Sequence, residues 1–327
     1  MTRREFITLL GGAGAAWPLA ARAQQPAMPI VGFVEGRSAE AAVRQAALFR
    51  KGLSETGFVE GQNVIVGYHW LDGQYDRLPA LMGDLVRRRV AVITAFSNAP
   101  ALAAKAATTT IPIVFGVGQD PVRMGLVASL ARPGGNATGI NFLNQETTAK
   151  RLGLLHDLVP KAVRIAVLVN PANASATEPT LREIGEAARA LGLQIAVLKA
   201  STSREVEVAF ATLVRDQADA LFVAPDVFFV GRPVQFATLA AHHKVPAAYT
   251  QRGFVEAGGL MSYGTDIADM FRQVGVYTGQ ILKGVKPADL PVLQSTKFEF
   301  VINMQTAGAL GLEVPPQLLA SVDEVIE

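Results

Sequence analysis

Residues 111–141 read IPIVFGVGQDPVRMGLVASLARPGGNATGIN, and this stretch decides the fold class. The apolar run 111–117 is typical of a strand that is buried on both faces. Asp120 is placed to cap a helix and Pro121 to open it. The turn sequence RPGGN then ends that helix, and a second strand is predicted over 137–142. The stretch therefore reads as one strand–helix–strand unit of a parallel sheet.

Strand-like and helical patterns alternate on both sides of this stretch. The other predicted strands are 30–34, 64–70, 90–96, 163–169, 194–198, 221–223, 247–250, 260–263 and 298–302. Helical patterns fill most of the intervals, from 39–56 at the start to 267–282 near the end. The alternation runs twice, which predicts an α/β fold of two doubly wound parallel-sheet lobes. Chain crossings between the lobes are expected near 139–144 and near 263–266.

The composition is that of a folded globular protein. Half of the 327 residues are hydrophobic and 18% are charged, which argues against disorder. The formal net charge is +2, and the chain beyond residue 25 carries 27 basic and 27 acidic residues. This balance gives no support for nucleic-acid binding. The chain has no cysteine, so disulfides, a cysteine nucleophile and thiolate metal sites are excluded.

The amino terminus has the features of an export signal. Arg3 and Arg4 precede an apolar stretch, and an A-x-A cleavage pattern ends at Ala23. We expect a twin-arginine signal peptide over 1–25, cleaved near Ala23, and a soluble mature protein in the periplasm. A membrane anchor is disfavoured, because a spanning helix needs about 20 apolar residues and Pro18 interrupts a shorter run.

Signatures of catalysis are missing from the sequence. It contains no G-x-S-x-G, no P-loop and no H-E-x-x-H motif. His242 and His243 are adjacent on a predicted helix and point about 100° apart, which makes them poor joint metal ligands. We predict no catalytic residue, no metal ligand and no cofactor.

Small polar residues follow several predicted strands, at the edge where ligands bind in open parallel sheets. Free amides at helix starts favour an anionic group such as a carboxylate. An acidic side chain across the cleft would neutralise an ammonium group. The candidate ligand-binding residues are Ser38, Ser97, Asn98, Gln119, Asp120, Asn170, Asp226 and Tyr249.

Most of these candidates also have a purely structural interpretation. Ser97, Asn98 and Asp120 fit helix N-caps as well as ligand contacts. Asn170 precedes Pro171 and fits a simple turn. The strand-end position alone does not decide between the two interpretations.

Asp226 is the sharpest candidate, because a carboxylate between Ala224 and Val227 needs a partner if it is buried. Tyr249 offers a stacking surface with a polar tip, and core packing is the alternative. Ser97, Asn98 and Asp226 together fit an amino-acid-like ligand best. We expect Asp226→Ala to abolish binding of an ammonium-bearing ligand and to leave the fold intact.

Five segments resemble the substrate-binding proteins of ABC transporters, in the tryptophan/tyrosine-type uptake group. The segments are PIVFGVGQDPV, LARPGGNATGI, GGLMSYGTD, ILKG-x-KPADLPV and KFEFVIN. The resemblance implies the type I periplasmic-binding fold, with a multi-strand hinge and a third crossing near 291–296. The implied division gives lobe 1 residues 28–140 plus about 265–292, and lobe 2 residues 141–264 plus about 293–327.

The resemblance also implies a function. A solute-binding protein closes over a small organic ligand and delivers it to an ABC permease and its ATPase, and we expect a monomer. The uptake group suggests an amino acid or aromatic ligand. Many of the group carry an Asp-Asn pair where this chain has Asp226-Val227, so an aromatic acid or another solute stays open. The alternatives are a secreted α/β enzyme, which needs a nucleophile–base pair, and a ligand-sensing module.

Overall fold

A computed structural model describes residues 28–143, 147–295 and 297–327. The signal peptide expected over 1–25 lies outside these residues. The strands are β1 Ile30–Glu35, β2 Ile65–Trp70, β3 Val92–Phe96, β4 Ile113–Val117, β5 Ala137–Asn141, β6 Arg164–Val169, β7 Gln194–Lys199, β8 Ala220–Val223, β9 Ala247–Tyr249, β10 Met261–Thr265, β11 Leu293–Gln294, β12 Phe298–Asn303 and β13 Glu324–Ile326.

Helices occupy most of the connections between these strands. They are α1 Val43–Glu55, α2 Leu78–Arg87, α3 Asn98–Ala107, α4 Thr148–Leu158, α5 Ala174–Leu191, α6 Ser203–Arg215, α7 Val227–Val230, α8 Pro233–His243, α9 Arg252–Glu256, α10 Ile267–Leu282, α11 Met304–Ala309 and α12 Pro316–Leu319. In the described part of the chain, no helix combines the length and the apolar character that crossing a membrane requires.

The first sheet is six-stranded and entirely parallel, in the order β11-β5-β4-β3-β1-β2. Both of its faces are buried, as a parallel sheet requires. In β3, for example, Val92 and Phe96 pack in one apolar cluster, whereas Ile93 and Ala95 pack in the cluster on the opposite face. Unbroken apolar runs in the sequence are the direct consequence.

The second sheet is seven-stranded, in the order β13-β12-β10-β9-β8-β6-β7. Its pairs are parallel except β10–β12, which is antiparallel, with Tyr263 opposite Phe300. Two apolar clusters flank this sheet as well. The predicted architecture of two doubly wound lobes is therefore confirmed.

Helix α10 returns the chain to the first lobe and packs against α1 through glycines. A Cβ at Gly52 would lie 1.8 Å from the Arg272 carbonyl oxygen, and one at Gly275 would lie 2.2 Å from the Phe49 carbonyl oxygen. Only glycine permits this approach of the two backbones. The contact fixes α10 on the first sheet although it follows a strand of the second.

Several elements differ from the sequence-based expectation, and two of them concern the first lobe. The helix predicted after Pro121 is a single turn, because Gly125 adopts φ +73° and reverses the chain. Leu293 and Gln294, assigned to the second lobe, pair instead with Ile140 and Asn141 of β5 in the first sheet. A two-residue strand carries no periodicity of its own, so its partner was not visible in the sequence. The remaining lobe boundaries stay a prediction.

The lobes are in contact across the cleft between them. Arg232 Nη2 of the second lobe lies 3.0 Å from Asp72 Oδ1 of the first. Gln119 Nε2 of the first lobe donates to the carbonyl oxygen of Ser175 in the second. Both contacts lie outside the crossing strands, so the described arrangement is a closed one.

Candidate ligand-binding site

A cavity between the lobes is bounded by the loops that follow the parallel strands. The first lobe contributes polar residues after β1, β3 and β4, namely Glu35, Arg37, Ser97, Asn98 and Gln119. The second lobe contributes polar residues after β6, β8 and β9, and from α5, namely Asn173, Thr180, Asp226, Thr250 and Gln251. The cavity thus lies at the carboxyl ends of both sets of strands, the edge at which ligands bind in open α/β sheets.

Four of the eight predicted site residues line this cavity: Ser97, Asn98, Gln119 and Asp226. Asn98 is 6% exposed, and its Oδ1 accepts the Gly118 N–H at 3.3 Å. This bond ties the loop after β3 to the loop after β4. The structure therefore brings together side chains that are separated by up to 129 positions in the sequence.

Two of the other predicted residues stabilise turns instead. Ser38 Oγ accepts the Ala41 N–H at 3.4 Å. Asp120 Oδ1 accepts the Val122 N–H at 2.8 Å, and its carboxylate pairs with Arg123 at 3.6 Å. Neither side chain lines the cavity. The structural interpretation applies to both, because a short polar side chain satisfies nearby amides before it reaches a ligand.

Tyr249 lies in the core rather than in the cavity. Its ring stacks on Phe254 with centroids 4.5 Å apart, and it contacts Phe236 edge-on. Its side chain is fully buried, and burial raises the pKa of its hydroxyl. The predicted stacking on a ligand is replaced by stacking within the second lobe.

Asn170 lies behind the cavity wall and holds Asp226 in place. Asn170 Nδ2 donates to Asp226 Oδ1 at 3.0 Å, and Asn173 Nδ2 donates to Asp226 Oδ2 at 2.8 Å. The Phe228 N–H also donates to Oδ1, at 2.9 Å, so the carboxylate caps α7. Burial raises the pKa of Asp226, whereas the donors from Asn170 and Asn173 lower it. The partner that the sequence required for this carboxylate is thus a pair of amides.

Sequence reasoning did not select Glu35, the last residue of β1. It is 1% exposed, and its Oε1 accepts a long bond of 3.4 Å from the Arg37 N–H, while Oε2 has no hydrogen-bond partner. Burial raises the pKa of Glu35, and the nearby Arg37 charge lowers it. The only signal in the sequence was an acidic residue at the end of an apolar run.

Arg37 is the one arginine or lysine among the described residues that line this cavity. It is 4% exposed, and its Nε has no hydrogen-bond partner. Its guanidinium carbon lies 5.8 Å from the centre of the Phe271 ring. A cation that is buried beside an aromatic face and retains a free donor is available for an anionic group.

Ser97 occupies a strained position at the cavity. Its backbone has φ +87° and ψ 167°, a region that non-glycine residues rarely adopt. Its Oγ is buried and has no hydrogen-bond partner. Such strain persists only where the surrounding structure holds it in place, and it is concentrated at ligand-binding and other functional sites.

The rest of the cavity wall is apolar and rich in aromatic rings. Phe96 and Phe271 stack with centroids 4.5 Å apart, and Phe142, Met270 and Val230 complete this side. Among the described residues, no group of three histidine, aspartate or glutamate side chains has the arrangement of metal ligands. The site therefore combines charged and polar contacts with an apolar surface rich in aromatic rings.

Two doubly wound lobes that enclose one cavity between their strand ends define the class of type I periplasmic binding proteins. The family model for ABC transporter substrate binding proteins matches residues 28–326, and the chain belongs to that family. It is therefore a solute-binding protein, the function that the sequence predicted. Proteins of this family bind a small ligand and work with an ABC permease.

Individual relatives agree with this assignment. A tyrosine-binding protein of Clostridioides difficile (strain R20291) is 29% identical over 266 residues, which cover 81% of this chain and 76% of that protein. An ABC domain from Streptococcus pneumoniae, solved in complex with L-Trp, has a TM-score of 0.80 at 24% identity and covers 92% of this chain and 100% of its own.

A third relative was solved in a different state. The ligand-free, open structure of a substrate-binding protein with adhesive properties from Clostridium difficile has a TM-score of 0.61 at 26% identity. The match covers 91% of this chain and 99% of that one.

Proposed function

We propose that the chain is the periplasmic solute-binding component of an ABC importer, and that it binds a small organic solute between its lobes. The solute is an amino acid or an aromatic compound. One observation carries this proposal: the cavity is walled by strand-end loops of both sheets, so a single ligand would contact both lobes. A ligand shifts a conformational equilibrium only through differential affinity, and a two-lobe site provides it.

The mechanism is hinge bending at the crossing strands. At one of these crossings, Thr265 Oγ1 donates to the Phe142 carbonyl oxygen and links two segments. Opening the cleft breaks the contacts of Arg232 with Asp72 and of Gln119 with Ser175, and closure restores them. The lower TM-score with the ligand-free, open relative than with the L-Trp complex supports a closed arrangement here.

The ligand class follows from the cavity wall and the relatives. Phe96, Phe142 and Phe271 supply an aromatic surface, and Glu35, Arg37 and Asp226 supply charged groups. Relatives described as a tyrosine-binding protein and as an L-Trp complex support a ligand with an aromatic body. The eight residues predicted from the sequence enter this proposal unequally: Ser97, Asn98, Gln119 and Asp226 touch the ligand, and Asn170 supports Asp226.

Localisation, partners and the absence of catalysis complete the proposal. The twin-arginine pattern and the cleavage pattern at Ala23 support export to the periplasm as a soluble chain. A permease and its ATPase in the inner membrane receive the solute from a monomeric binding protein. The match of residues 28–326 to a family of substrate binding proteins supports binding, rather than chemistry, as the role of this site.

A thermal-shift screen tests the proposal. The mature chain is heated with amino acids, aromatic acids, aromatic amines and sugars, and a binder raises the melting temperature by mass action. Hits are then titrated by calorimetry. Val227 lines the cavity, so Val227→Trp is expected to abolish the shift, whereas Val208→Trp, at a 58% exposed position of the same lobe, is expected to retain it. An equal shift in both variants would place the site elsewhere, and no hit in the whole panel would overturn solute binding.

A further inference from the structure

The charges that line the cavity do not balance. Two carboxylates, Glu35 of the first lobe and Asp226 of the second, face one guanidinium, Arg37. All three side chains are at least 94% buried. With all three groups ionised, the lining carries one uncompensated negative charge in a region of reduced dielectric, where charge imbalance is costly.

The two carboxylates differ in what the protein provides for them. Asp226 receives hydrogen bonds from two amide side chains and one backbone N–H. Among the described residues, no side chain is hydrogen-bonded to Glu35; its Oε1 accepts a long bond from the Arg37 N–H, and its Oε2 is buried without a hydrogen-bond partner. In the described part of the chain, Glu35 also forms no ion pair within 4 Å. The unmet acceptor therefore belongs to Glu35.

Tyr75 shows that the two carboxylates act on the same small region. Its hydroxyl is buried without a hydrogen-bond partner and would lie 3.4 Å from a Cβ at Gly36, the residue after Glu35. Burial raises the pKa of Tyr75, and the charges of both Asp226 and Glu35 raise it further. Tyr75 itself does not line the cavity, but both carboxylates, one from each lobe, lie near enough to act on its hydroxyl.

Arg37 does not balance both of these carboxylates. Its guanidinium lies over the Phe271 ring, and its Nη1 lies 2.7 Å from the side-chain oxygen of Gln45 when that amide is oriented to accept. It offsets one of the two negative charges. The second negative charge has no cation among the described residues that line the cavity.

We propose that the ligand is a monocationic amine with an aromatic or apolar body, and that its ammonium group binds Glu35 Oε2 beside Asp226. This proposal rests on the proposed function, because it takes the interlobe cavity as the ligand site. The ammonium group donates to the free Glu35 oxygen and to Ser97, whose hydroxyl oxygen accepts. The body of the ligand packs on the wall formed by Phe96, Phe142 and Phe271.

A net cation fits better than a zwitterion for an electrostatic reason. With a bound monocation the lining and the ligand are neutral in sum, whereas a zwitterion has no net charge and leaves the excess negative charge of the lining uncompensated. Burial raises the pKa of both Glu35 and Asp226, so it costs free energy to keep both carboxylates ionised in the absence of a further cation. Binding of a cation offsets that cost.

Three probes that share a phenyl ring separate the alternatives. They are 2-phenylethylamine, which carries only the ammonium group, L-phenylalanine, which carries both charges, and 3-phenylpropanoate, which carries only the carboxylate. Titration calorimetry on the mature chain at neutral pH is expected to show the tightest binding for the amine. The expected preference over L-phenylalanine is about 10-fold, and the acid is expected to bind weakest.

Glu35→Gln tests whether the charge of Glu35 selects the ligand, because a purely structural role of Glu35 would not change the preference between the two probes. It removes the excess charge, so it is expected to weaken 2-phenylethylamine roughly 10- to 100-fold and to reverse the preference toward L-phenylalanine. Glu40→Gln, at an exposed position of the same lobe, is the control and is expected to change neither value. Thermal melts establish that both variants are folded.

The outcomes distinguish this inference from the function on which it rests. Failure of 2-phenylethylamine to bind, with any other solute of the panel binding, overturns the amine assignment and leaves solute binding intact. An unchanged preference in a folded Glu35→Gln variant overturns the role of Glu35. Failure of every solute in the panel overturns the proposed function itself, and the inference with it.

Discussion

The two walls of the interlobe cavity handle their buried polar groups in opposite ways. On the first-lobe wall, three of the five polar side chains, those of Glu35, Arg37 and Ser97, have a buried polar atom without a hydrogen-bond partner. On the second-lobe wall, both carboxylate oxygens of Asp226 accept hydrogen bonds. The two amides that donate to them, those of Asn170 and Asn173, form further hydrogen bonds through their oxygens. Both walls follow parallel strands, so topology does not explain the difference.

We infer that the two walls have different roles: the first-lobe wall recognises the ligand, and the second-lobe wall holds a carboxylate in a fixed position. Buried polar groups in proteins are nearly always satisfied, and a cluster of exceptions marks a functional site. The second lobe carries a preorganised carboxylate that costs nothing further to position when the ligand arrives. The first lobe carries two unpaired acceptors, Glu35 Oε2 and Ser97 Oγ, to which a ligand ammonium group would donate. We therefore expect changes on the second-lobe wall to cost stability, and changes on the first-lobe wall to cost affinity.

The largest stability effect is expected at Asp226. Asp226→Ala leaves the Asn170 and Asn173 amides and the Phe228 N–H without their acceptor, and it uncaps α7. The expected loss is about 2–4 kcal/mol of unfolding free energy. This refines the expectation from sequence, in which the fold was to be unaffected. Denaturant melts measure the loss, and an unchanged melt would show that the second-lobe wall is not a support.

Ser97 is expected to show the opposite balance. Ser97→Gly relieves a backbone at φ +87° and is expected to raise stability by up to about 1 kcal/mol while it weakens ligand binding. Ser97→Ala is the matched variant, since it removes the hydroxyl and keeps the strain. It is expected to weaken binding equally without the gain in stability. Denaturant melts measure the stability of both variants, and titration measures their ligand affinity. A Ser97→Gly variant that is less stable than the wild type would contradict the proposal that the Ser97 backbone is strained.

The pH dependence of stability is expected to report on Glu35. A carboxyl whose pKa is raised by folding binds more protons in the native state, so stability falls as the pH rises from its ordinary pKa of 4.5 through the raised value. Glu35→Gln lacks this loss. It is expected to melt roughly 1–3 °C above the wild type at pH 8, and the gap is expected to close toward pH 4.5. A difference in melting temperature that widens on acidification would contradict a raised pKa of Glu35 in the folded protein.

The smallest effect is expected at the contact between the lobes outside the cavity. Asp72→Asn removes the ion pair with Arg232, whose partners are 45% and 23% exposed. The expected weakening of ligand affinity is less than about 5-fold, since exposed ion pairs contribute at most about 1 kcal/mol. Asp84→Asn breaks a comparable pair with Arg87 within one helix and is expected to leave affinity unchanged. Equal effects of the two variants on ligand affinity would show that the contact between Asp72 and Arg232 does not contribute to closure.

The fold was largely predictable, because parallel sheets bury both faces and so produce apolar runs at regular intervals. The alternation located most strands to within two or three residues, as for β3 and β4. It failed after Pro121, where the local pattern is helical but Gly125 turns the chain back. It also missed β11, whose two residues are defined only by their partner strand.

The site was predictable in place but only partly in its residues. Polar side chains at strand ends gave Ser97, Asn98, Gln119 and Asp226, which do line the cavity. After β1 the sequence offers several polar residues. Ser38 is the ligand contact predicted from them, whereas Glu35 and Arg37 line the cavity. Which side chains face the cleft depends on burial and on the orientation of the loop, and neither is encoded in local periodicity.

A cross-lobe disulfide tests the closing cavity most directly. A Cβ at Gly36 would lie 3.3 Å from Val227 Cβ, near the separation of about 3.5–4.5 Å found in disulfides. The chain has no other cysteine, so Gly36→Cys with Val227→Cys gives one defined bond. The probe is the tightest binder of the thermal-shift panel, and the reduced double variant is the control. Oxidation after ligand addition is expected to trap the ligand through dialysis, and oxidation before addition is expected to exclude it. Equal binding in either order, with the disulfide formed, would contradict a ligand site enclosed by the two lobes.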